Sequence, residues 1–389
     1  MNKLLEEPYM NKDMLLDNWH ESGSSQVKLK KTLQLITQST VLLPYDTDEI
    51  RILTVADRTK DGIRGFMHNS KSGTQNMLIR NSKLKREGIT ESLENETLNY
   101  SYLLFRLGDG LFFASPKVLK TLCQRAGSNL GAAGLRSEMN IRFHRDAGYV
   151  AYMGLKPESC GILFRKQGKT KKMFAVFSER YKVIPQDLVY NYVLAAFKKK
   201  MGTVSLHHYE IDNFETEICL DFPDYQVADV VPGIRIHMSD VGDSSFIIDA
   251  YVRIGNGFAY IPKASYSKSH TLKVSVENLA DEAVKAMDGV YDNFLNRAKQ
   301  LHTFTVPSSI ISDVSNFCGF RKGLGGATLE KELLNSITEE IEPDKTYSAF
   351  KIVSLFFEKC AILEKNRTSV YISALRNLLA DTFFFKYEN

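Results

Sequence analysis

Residues 161–202 read GILFRKQGKTKKMFAVFSERYKVIPQDLVYNYVLAAFKKKMG, and this stretch decides the predicted fold. Short apolar runs at 161–166 and 172–177 flank the turn signal Gln167-Gly168, a pattern that predicts a β-hairpin. Pro185 then opens a helix, because the fixed backbone angle of proline suits the first helical turn. The stretch therefore predicts strand, turn, strand and helix.

Basic residues crowd the tip of this hairpin, with phenylalanines interleaved among them. Lysines contact phosphates and aromatic rings stack on unpaired bases, so a basic hairpin of this kind is typical of a nucleic-acid-binding surface. A solvated turn whose phenylalanines point into the core is the alternative interpretation. The candidate nucleic-acid-binding residues are Arg165, Lys166, Lys169, Lys171, Lys172, Arg180 and Tyr181.

The rest of the chain predicts an α+β protein, with a central antiparallel sheet backed by helices and a helical C-terminal portion. Alternating apolar and polar residues from Phe214 to Ile254 indicate strands with one buried face. From Ser275 the period changes to about 3.6, which predicts one helix of about seven turns that ends near Leu301. The predicted sheet segments are 98–113, 141–182 and 203–261. The predicted later helices lie at 308–318, 328–341, 347–363 and 368–384.

These patterns divide the chain into three predicted parts. Residues 1–97 form an N-terminal segment with a polar loop, 98–272 a mixed sheet core that carries the basic hairpin, and 273–389 the helical C-terminal portion. Within the first part, residues 57–97 are rich in polar and basic residues and offer little apolar surface to offset the entropy of ordering. We therefore expect a long loop or a mobile arm there.

Composition restricts the class of protein. The chain has 389 residues, of which 43% are hydrophobic and 25% charged, as in ordinary soluble globular proteins. No apolar run approaches the roughly 18 residues of a membrane helix, and the acidic N-terminal stretch is unlike a secretory signal. The five cysteines lie far apart without a CxxC pair, which argues against a zinc module and a disulfide framework. We expect a cytoplasmic protein that uses no cofactor and does not bind membranes.

Charge is distributed unevenly along the chain. Residues 51–200 contain 27 basic and 12 acidic residues, whereas residues 201–250 contain one basic and ten acidic residues. Such asymmetry predicts a basic face that binds an anionic partner and an acidic face turned elsewhere. Pairing between the two regions in the folded chain is the alternative.

The acidic region also contains the best candidate for a metal site. In an extended segment the side chains of His208, Glu210 and Asp212 share one side, and carboxylates and imidazoles are common metal ligands. Asp221 and Asp224 would extend this cluster toward that of a magnesium-dependent nuclease. A solvated strand face is the simpler interpretation, so no metal is assigned.

Several motifs occur in the order found in a known family. Phe177-Ser178-Glu179-Arg180-Tyr181 precedes a short spacer and a helix, Ser239–Ser245 carries a Ser-x-x-Gly-x-Ser pattern, and Ser269-His270-Thr271 precedes the long helix. In this respect the chain, over roughly residues 100–385, resembles the domain of unknown function 932 family, whose members occur widely in phages, plasmids and bacterial genomes. Gly255 stands where those members usually have cysteine. The resemblance implies the biology of mobile genetic elements and no particular activity.

Together, the basic hairpin and the resemblance predict a non-catalytic nucleic-acid-binding protein of phage or plasmid DNA metabolism, which binds or anneals single strands. The expected partner is single-stranded or double-stranded nucleic acid, with a homo-oligomer as a further expectation. A metal-dependent nuclease is one alternative. A phage structural or host-interaction protein, in which the basic surface meets an acidic protein, is another.

Overall fold

The computed structural model describes residues 14–69, 73–101, 103–115, 117–127, 153–242, 245–255, 257–270, 275–291, 294–311 and 326–366. The chain is an α+β protein with antiparallel sheets and a helical C-terminal region, which confirms the predicted fold class. The first part of the sheet segment predicted at 141–182 and the helix predicted at 368–384 lie outside the described residues, as does most of the helix predicted at 308–318.

The strands, in chain order, are β1 (His20–Gly23), β2 (Thr40–Asp46), β3 (Ile50–Arg58), β4 (Gly62–Asn69), β5 (Gly73–Arg80), β6 (Leu103–Leu107), β7 (Gly110–Ala114), β8 (Ser159–Gln167), β9 (Thr170–Ser178), β10 (Ser205–Asp212), β11 (Thr216–Asp221), β12 (Val230–Met238), β13 (Phe246–Ile254), β14 (Gly257–Lys268), β15 (Thr305–Pro307) and β16 (Thr346–Ser348). The α-helices are α1 (Gln26–Ser39), α2 (Asn81–Arg86), α3 (Glu91–Glu96), α4 (Lys117–Arg125), α5 (Gln186–Met201), α6 (Val276–Ala286), α7 (Phe294–Thr303), α8 (Gly326–Thr338) and α9 (Ala349–Asn366).

Two large sheets take the place of the single central sheet that the sequence predicts. The larger has the strand order β2-β8-β9-β7-β6-β3-β4-β5, and the smaller has the order β1-β10-β11-β12-β13-β14. The predicted hairpin is present as β8 and β9, but β2 pairs along one edge of it and β7 pairs in parallel along the other. Because both edges are occupied, the strands from residues 203–261 form a separate sheet.

The prediction of a long loop over residues 57–97 is wrong. This segment contains both strands of the pair β4–β5, which extends the larger sheet from β3, and the short helices α2 and α3. Strand β5 is polar and largely exposed, as an edge strand can be, because its backbone hydrogen bonds to β4 hold it in place. A few apolar side chains anchor the segment in the core, namely Ile63, Ile79, Leu84 and Leu93.

The main hydrophobic core lies between the smaller sheet and the helices α1, α5, α6, α7 and α9. A second core lies between α4 and one face of the larger sheet, and a third lies on the opposite face of that sheet, beneath α2 and α3. The larger sheet is therefore covered on both faces over much of its area. This double coverage determines which charged side chains of the hairpin reach solvent.

The long helix predicted after Ser275 is present as two helices, α6 and α7. The chain turns between them at Gly289, whose φ of 76° lies in the left-handed region that favours glycine. The predicted apolar stripe is nevertheless buried on both sides of the break, at Ala280, Ala283 and Phe294. The helix period was therefore correct, and the break between α6 and α7 was missed.

Candidate nucleic-acid interface

The hairpin β8–β9 closes through a two-residue turn at its tip. Gln167 pairs with Thr170, and Gly168 has a φ of 59° while Lys169 has no positive φ, the pattern of a type II′ turn. Counting back from the tip, Lys166 pairs with Lys171 and Arg165 pairs with Lys172. Since side chains alternate between the two faces of a sheet, Arg165 and Lys172 share one face and Lys166 and Lys171 share the other.

Arg165 is not available to a phosphate, because its side chain is only 1% exposed. One guanidinium nitrogen, Nη1, donates a hydrogen bond to Asn213 Oδ1 at 2.8 Å, and Nη2 lies 4.0 Å from Asp240 Oδ2. Burial raises the pKa of Asp240 and lowers that of Arg165, and the attraction between the two charges opposes both shifts. The interpretation of Arg165 as a phosphate ligand is therefore wrong, and this residue joins the hairpin to the end of the smaller sheet.

Lys172 is likewise 1% exposed and lies between two carboxylates. Its Nζ is 3.1 Å from Asp17 Oδ1 and also contacts Glu96, which accepts a hydrogen bond from the backbone amide of Asp17 at 2.6 Å. Burial raises the pKa of Asp17, Lys172 opposes this shift, and the nearby Glu96 adds to it. Lys172 therefore holds residues 14–19 and α3 against the hairpin through its ion pairs. The prediction that Lys172 binds nucleic acid is wrong.

Arg180 and Tyr181 lie beyond the opposite end of β9 from the tip, a strand length of roughly 25 Å at 3.3 Å per residue. Arg180 is exposed, but one face of the Tyr181 ring stacks on Phe177 with ring centres 3.7 Å apart. The Tyr181 hydroxyl donates to the carbonyl oxygen of Asp240 at 2.7 Å and lies 3.3 Å from Nδ1 of His270. The structure therefore does not bring these two residues to the basic tip, and the ring of Tyr181 is engaged inside the protein.

The remaining predicted residues, Lys166, Lys169 and Lys171, do lie at the tip. Lys166 and Lys169 are exposed and Lys171 is half-buried. Among the described residues, no carboxylate lies within 4.0 Å of the amino group of any of these lysines. The part of the chain that the structure describes therefore leaves these three charges unneutralised.

Helix α2 brings further positive charge to the same place. The Thr170 hydroxyl donates to the carbonyl oxygen of Gly88, and a Cβ atom placed on Gly88 would be 3.5 Å from that of Lys169. Lys85 and Arg86, just before Gly88, are both exposed. Sequence reasoning missed this pair because it placed residues 57–97 in a loop, although the basic run at the end of α2 was visible.

A cavity of about 380 Å³ opens beside the tip. Its apolar lining consists of Leu15, Leu16 and Leu93. Hydroxyl and amide groups complete the lining, from Thr90, Ser92, Gln167 and Thr170. Gln167 and Thr170 belong to the same hairpin face as Arg165 and Lys172, so the cavity lies on the packed side of the tip, where the sheet meets α3. No sequence pattern marks it, because its walls come from three separate segments.

The candidate metal ligands do not assemble into a site. His208 Nε2 lies 3.3 Å from Glu210 Oε1, but Asp212 accepts the backbone amides of Phe214 and Glu215 and so caps the turn between β10 and β11. Within the described ranges, no group of histidine, cysteine and carboxylate side chains is close enough to hold a metal ion. The nuclease alternative therefore gains no support from these residues.

Three carboxylates of the acidic stretch 201–250 are paired with arginines of their own sheet. Arg235 pairs with Glu217 at 3.3 Å and with Asp249, and Arg253 pairs with Asp221 at 2.8 Å. These side chains occupy one face of neighbouring strands β11, β12 and β13, where opposite charges face each other across the ladder. These pairs lie within the acidic region or beside it, and pairing between the basic and acidic regions is represented among the described residues by Arg165 and Asp240.

Burial of His270 predicts a dependence of stability on pH. Burial lowers the pKa of His270 below its ordinary 6.5, and this shift is opposed by Asp240 and by a backbone hydrogen bond at Lys182. Below pH 6.5 the imidazole of His270 takes up a proton readily in the unfolded chain and less readily in the folded chain. The contribution of neutral His270 to the free energy of unfolding is therefore present above pH 6.5 and is lost as the pH falls. The slope contributed by one such group reaches about 1.4 kcal/mol per pH unit.

We therefore expect the free energy of unfolding in urea to fall less steeply below pH 6.5 in His270→Gln than in the native chain. His207 is the matched control, because burial also lowers its pKa and its own substitution should remove a separate part of the slope. An unchanged pH profile in His270→Gln would show that its imidazole titrates as it does in water.

The fold and the site define the class of protein as an α+β protein with a basic hairpin tip beside a cavity. No family model matches the chain, and comparisons with curated proteins and with solved structures return no match. The resemblance to the domain of unknown function 932 family therefore stays a prediction. Among the described helices, none is long and apolar enough to cross a membrane.

Proposed function

We propose that the protein binds nucleic acid without cleaving it, through the exposed cations at the tip of the β8–β9 hairpin and the end of α2. The observation that carries the proposal is that Lys166, Lys169 and Lys171 remain without a described carboxylate partner, while the buried cations of the same hairpin are paired. Lys85 and Arg86 add exposed positive charge across the Thr170–Gly88 hydrogen bond, although Arg86 Nε also lies 3.9 Å from Glu87 Oε1. A compact group of lysines and an arginine suits phosphates, because contacts to phosphates do not depend on the base sequence.

The proposal includes the setting that the sequence suggested. The family resemblance connects the binding to phage or plasmid DNA metabolism, in the cytoplasm, with single-strand binding or annealing as the role and a homo-oligomer as the form. Single-strand binding is inferred from the elements that carry the cations, a two-residue hairpin turn and the end of the six-residue helix α2, because neither is a long helix of the kind that fills a major groove. We expect no cleavage of DNA or RNA with Mg²⁺ or Mn²⁺ present.

Salt dependence tests the proposal directly. In Lys166→Ala/Lys169→Ala, we expect the slope of log affinity against log salt concentration to flatten by about 1.4 to 1.8 units, because each lost phosphate contact removes about 0.7 to 0.9. The measurement is a titration of fluorescently labelled single-stranded and duplex DNA at several salt concentrations.

The matched control is Lys198→Ala/Lys199→Ala, which removes the same charge from exposed positions at the end of α5. It should shift affinity slightly and leave the slope unchanged. Equal slopes for the native chain and the hairpin variant, with folding intact, would remove the tip from the interface.

A further inference from the structure

We propose that the cavity beside the hairpin tip receives one unstacked nucleobase while the phosphates of the same strand stay outside on the tip lysines. This inference rests on the proposed function and specifies what the site recognises. Unpaired bases are bound in proteins by apolar or aromatic side chains against the ring faces and by polar groups at the ring edge. The cavity contains both kinds of group.

The size and the lining of the cavity fit such a ligand. Its volume of about 380 Å³ lies at the lower end of the range for small-molecule sites. Leu15 and Leu93 are buried and provide apolar walls, whereas Gln167 offers an amide that both donates and accepts. Ser92 and Thr90 add hydroxyl groups at the rim, on the exposed side of α3.

The charges around the cavity exclude a phosphate from its interior. The residues just beyond the lining are Asp17, Glu96 and Lys172, which follow Leu16, Leu93 and Thr170 along their segments and form one buried cluster. Two carboxylates against one ammonium leave this cluster net negative or neutral, so an anion would be repelled or unassisted there. The neutral part of a nucleotide suits the interior, and the anionic part suits the lysines outside.

The hairpin places the cavity lining next to a lysine, as the base and the phosphate of one nucleotide are next to each other. Lys169 lies in the turn between the lining residues Gln167 and Thr170, whereas Lys166 and Lys171 share the opposite face of the hairpin. A base and its own phosphate are adjacent groups of one nucleotide, so Lys169 can contact the phosphate of the bound base, and the two lysines on the other face are left for neighbouring phosphates. We expect the cavity to accept any of the bases, because each base can present an edge to a single amide and a few hydroxyls.

The test fills the cavity from its exposed rim. Ser92→Phe places a ring in the opening, and Ser92→Ala keeps it open at the same exposed position, where neither change is expected to disturb folding. The probe is a short oligothymidine that carries a single 2-aminopurine, whose fluorescence rises when the base leaves its stack. We expect Ser92→Phe to bind the probe about tenfold more weakly and to lose the fluorescence rise, with the salt slope unchanged, and Ser92→Ala to stay within about twofold of the native chain.

The outcomes separate the two proposals. Binding with the native salt slope and an undiminished fluorescence rise in Ser92→Phe would overturn the base site and leave the phosphate contacts standing. Absence of any salt-dependent binding by the native chain would overturn both. A loss of affinity in Ser92→Phe accompanied by a flatter salt slope would also overturn the base site, because the ring would then have disturbed the lysines themselves.

Discussion

Replacing Arg165 by methionine should lower the free energy of unfolding by about 3–5 kcal/mol, because it leaves a buried carboxylate without its counter-charge. Asp240 is 2% exposed, and among the described residues its carboxylate would keep the hydrogen bond from Gln186 Nε2 at 2.8 Å, while Asn213 Oδ1 would lose its donor. Methionine retains much of the volume of the arginine side chain. The fall in the free energy of unfolding therefore measures the loss of the charge and of its hydrogen bonds. Urea unfolding followed by circular dichroism measures it.

The pH dependence of this variant identifies the cause. Burial raises the pKa of Asp240, and loss of Arg165 should raise it further. A raised folded-state pKa contributes stability at acidic pH that is lost as the pH rises through it, so the penalty in Arg165→Met should be smaller at pH 5 than at pH 7.5. Arg165→Met/Asp240→Asn should recover part of the loss.

The adjacent residue supplies the matched control for this prediction. Lys166→Met changes the same charge one position along β8, on the other face of the strand, and should alter stability by no more than about half a kcal/mol. An equal loss in both variants, or no loss in Arg165→Met, would contradict the assignment of Arg165 as a buried structural cation.

The second large effect is expected at Lys172. Lys172→Met leaves Asp17 and Glu96 facing each other without a cation, and removal of one partner from a buried ion pair typically costs about 3–5 kcal/mol. Thermal and urea unfolding should both report the loss. Lys171→Met, at the half-buried neighbouring position on the opposite face, should cost far less.

A second substitution distinguishes the electrostatic cause from a packing defect. Lys172→Met/Glu96→Gln removes one of the two stranded carboxylates and should recover part of the stability. If the double variant is no more stable than Lys172→Met, the loss comes from packing around the side chain. These variants also show that a nucleic-acid-binding test should not include Lys172, since its removal would weaken binding by unfolding the site.

Several local features followed from the sequence because they depend on neighbouring residues alone. The turn at Gln167-Gly168 was predicted from the backbone freedom of glycine, and the φ of 59° at Gly168 agrees with it. Pro185 and Gly202 mark the limits of α5 to within a residue. The alternation from Phe214 to Ile254 gave β11, β12 and β13, because the side-chain period of a strand is a local property.

Features that depend on distant partners were missed. Strands β4 and β5 have little apolar surface, and their backbone hydrogen bonds to β3 and to each other hold them in the larger sheet. The break at Gly289 likewise interrupts a stripe that continues in phase, so the apolar pattern alone could not show it. For β4 and β5 the deciding interactions join residues that the sequence period does not relate, whereas at Gly289 a local backbone conformation breaks the helix.

The candidate site shows the same division most clearly. By itself the sequence determined that Arg165 and Lys172 share one face of the hairpin and Lys166 and Lys171 the other, since this follows from strand alternation and the turn. Only the tertiary structure decided which face is covered at the tip, because the covering groups come from residues 14–19, α3 and the end of β12. Burial is a property of distant segments meeting in space, and it separates two cations that stabilise the fold from three that remain available to a ligand.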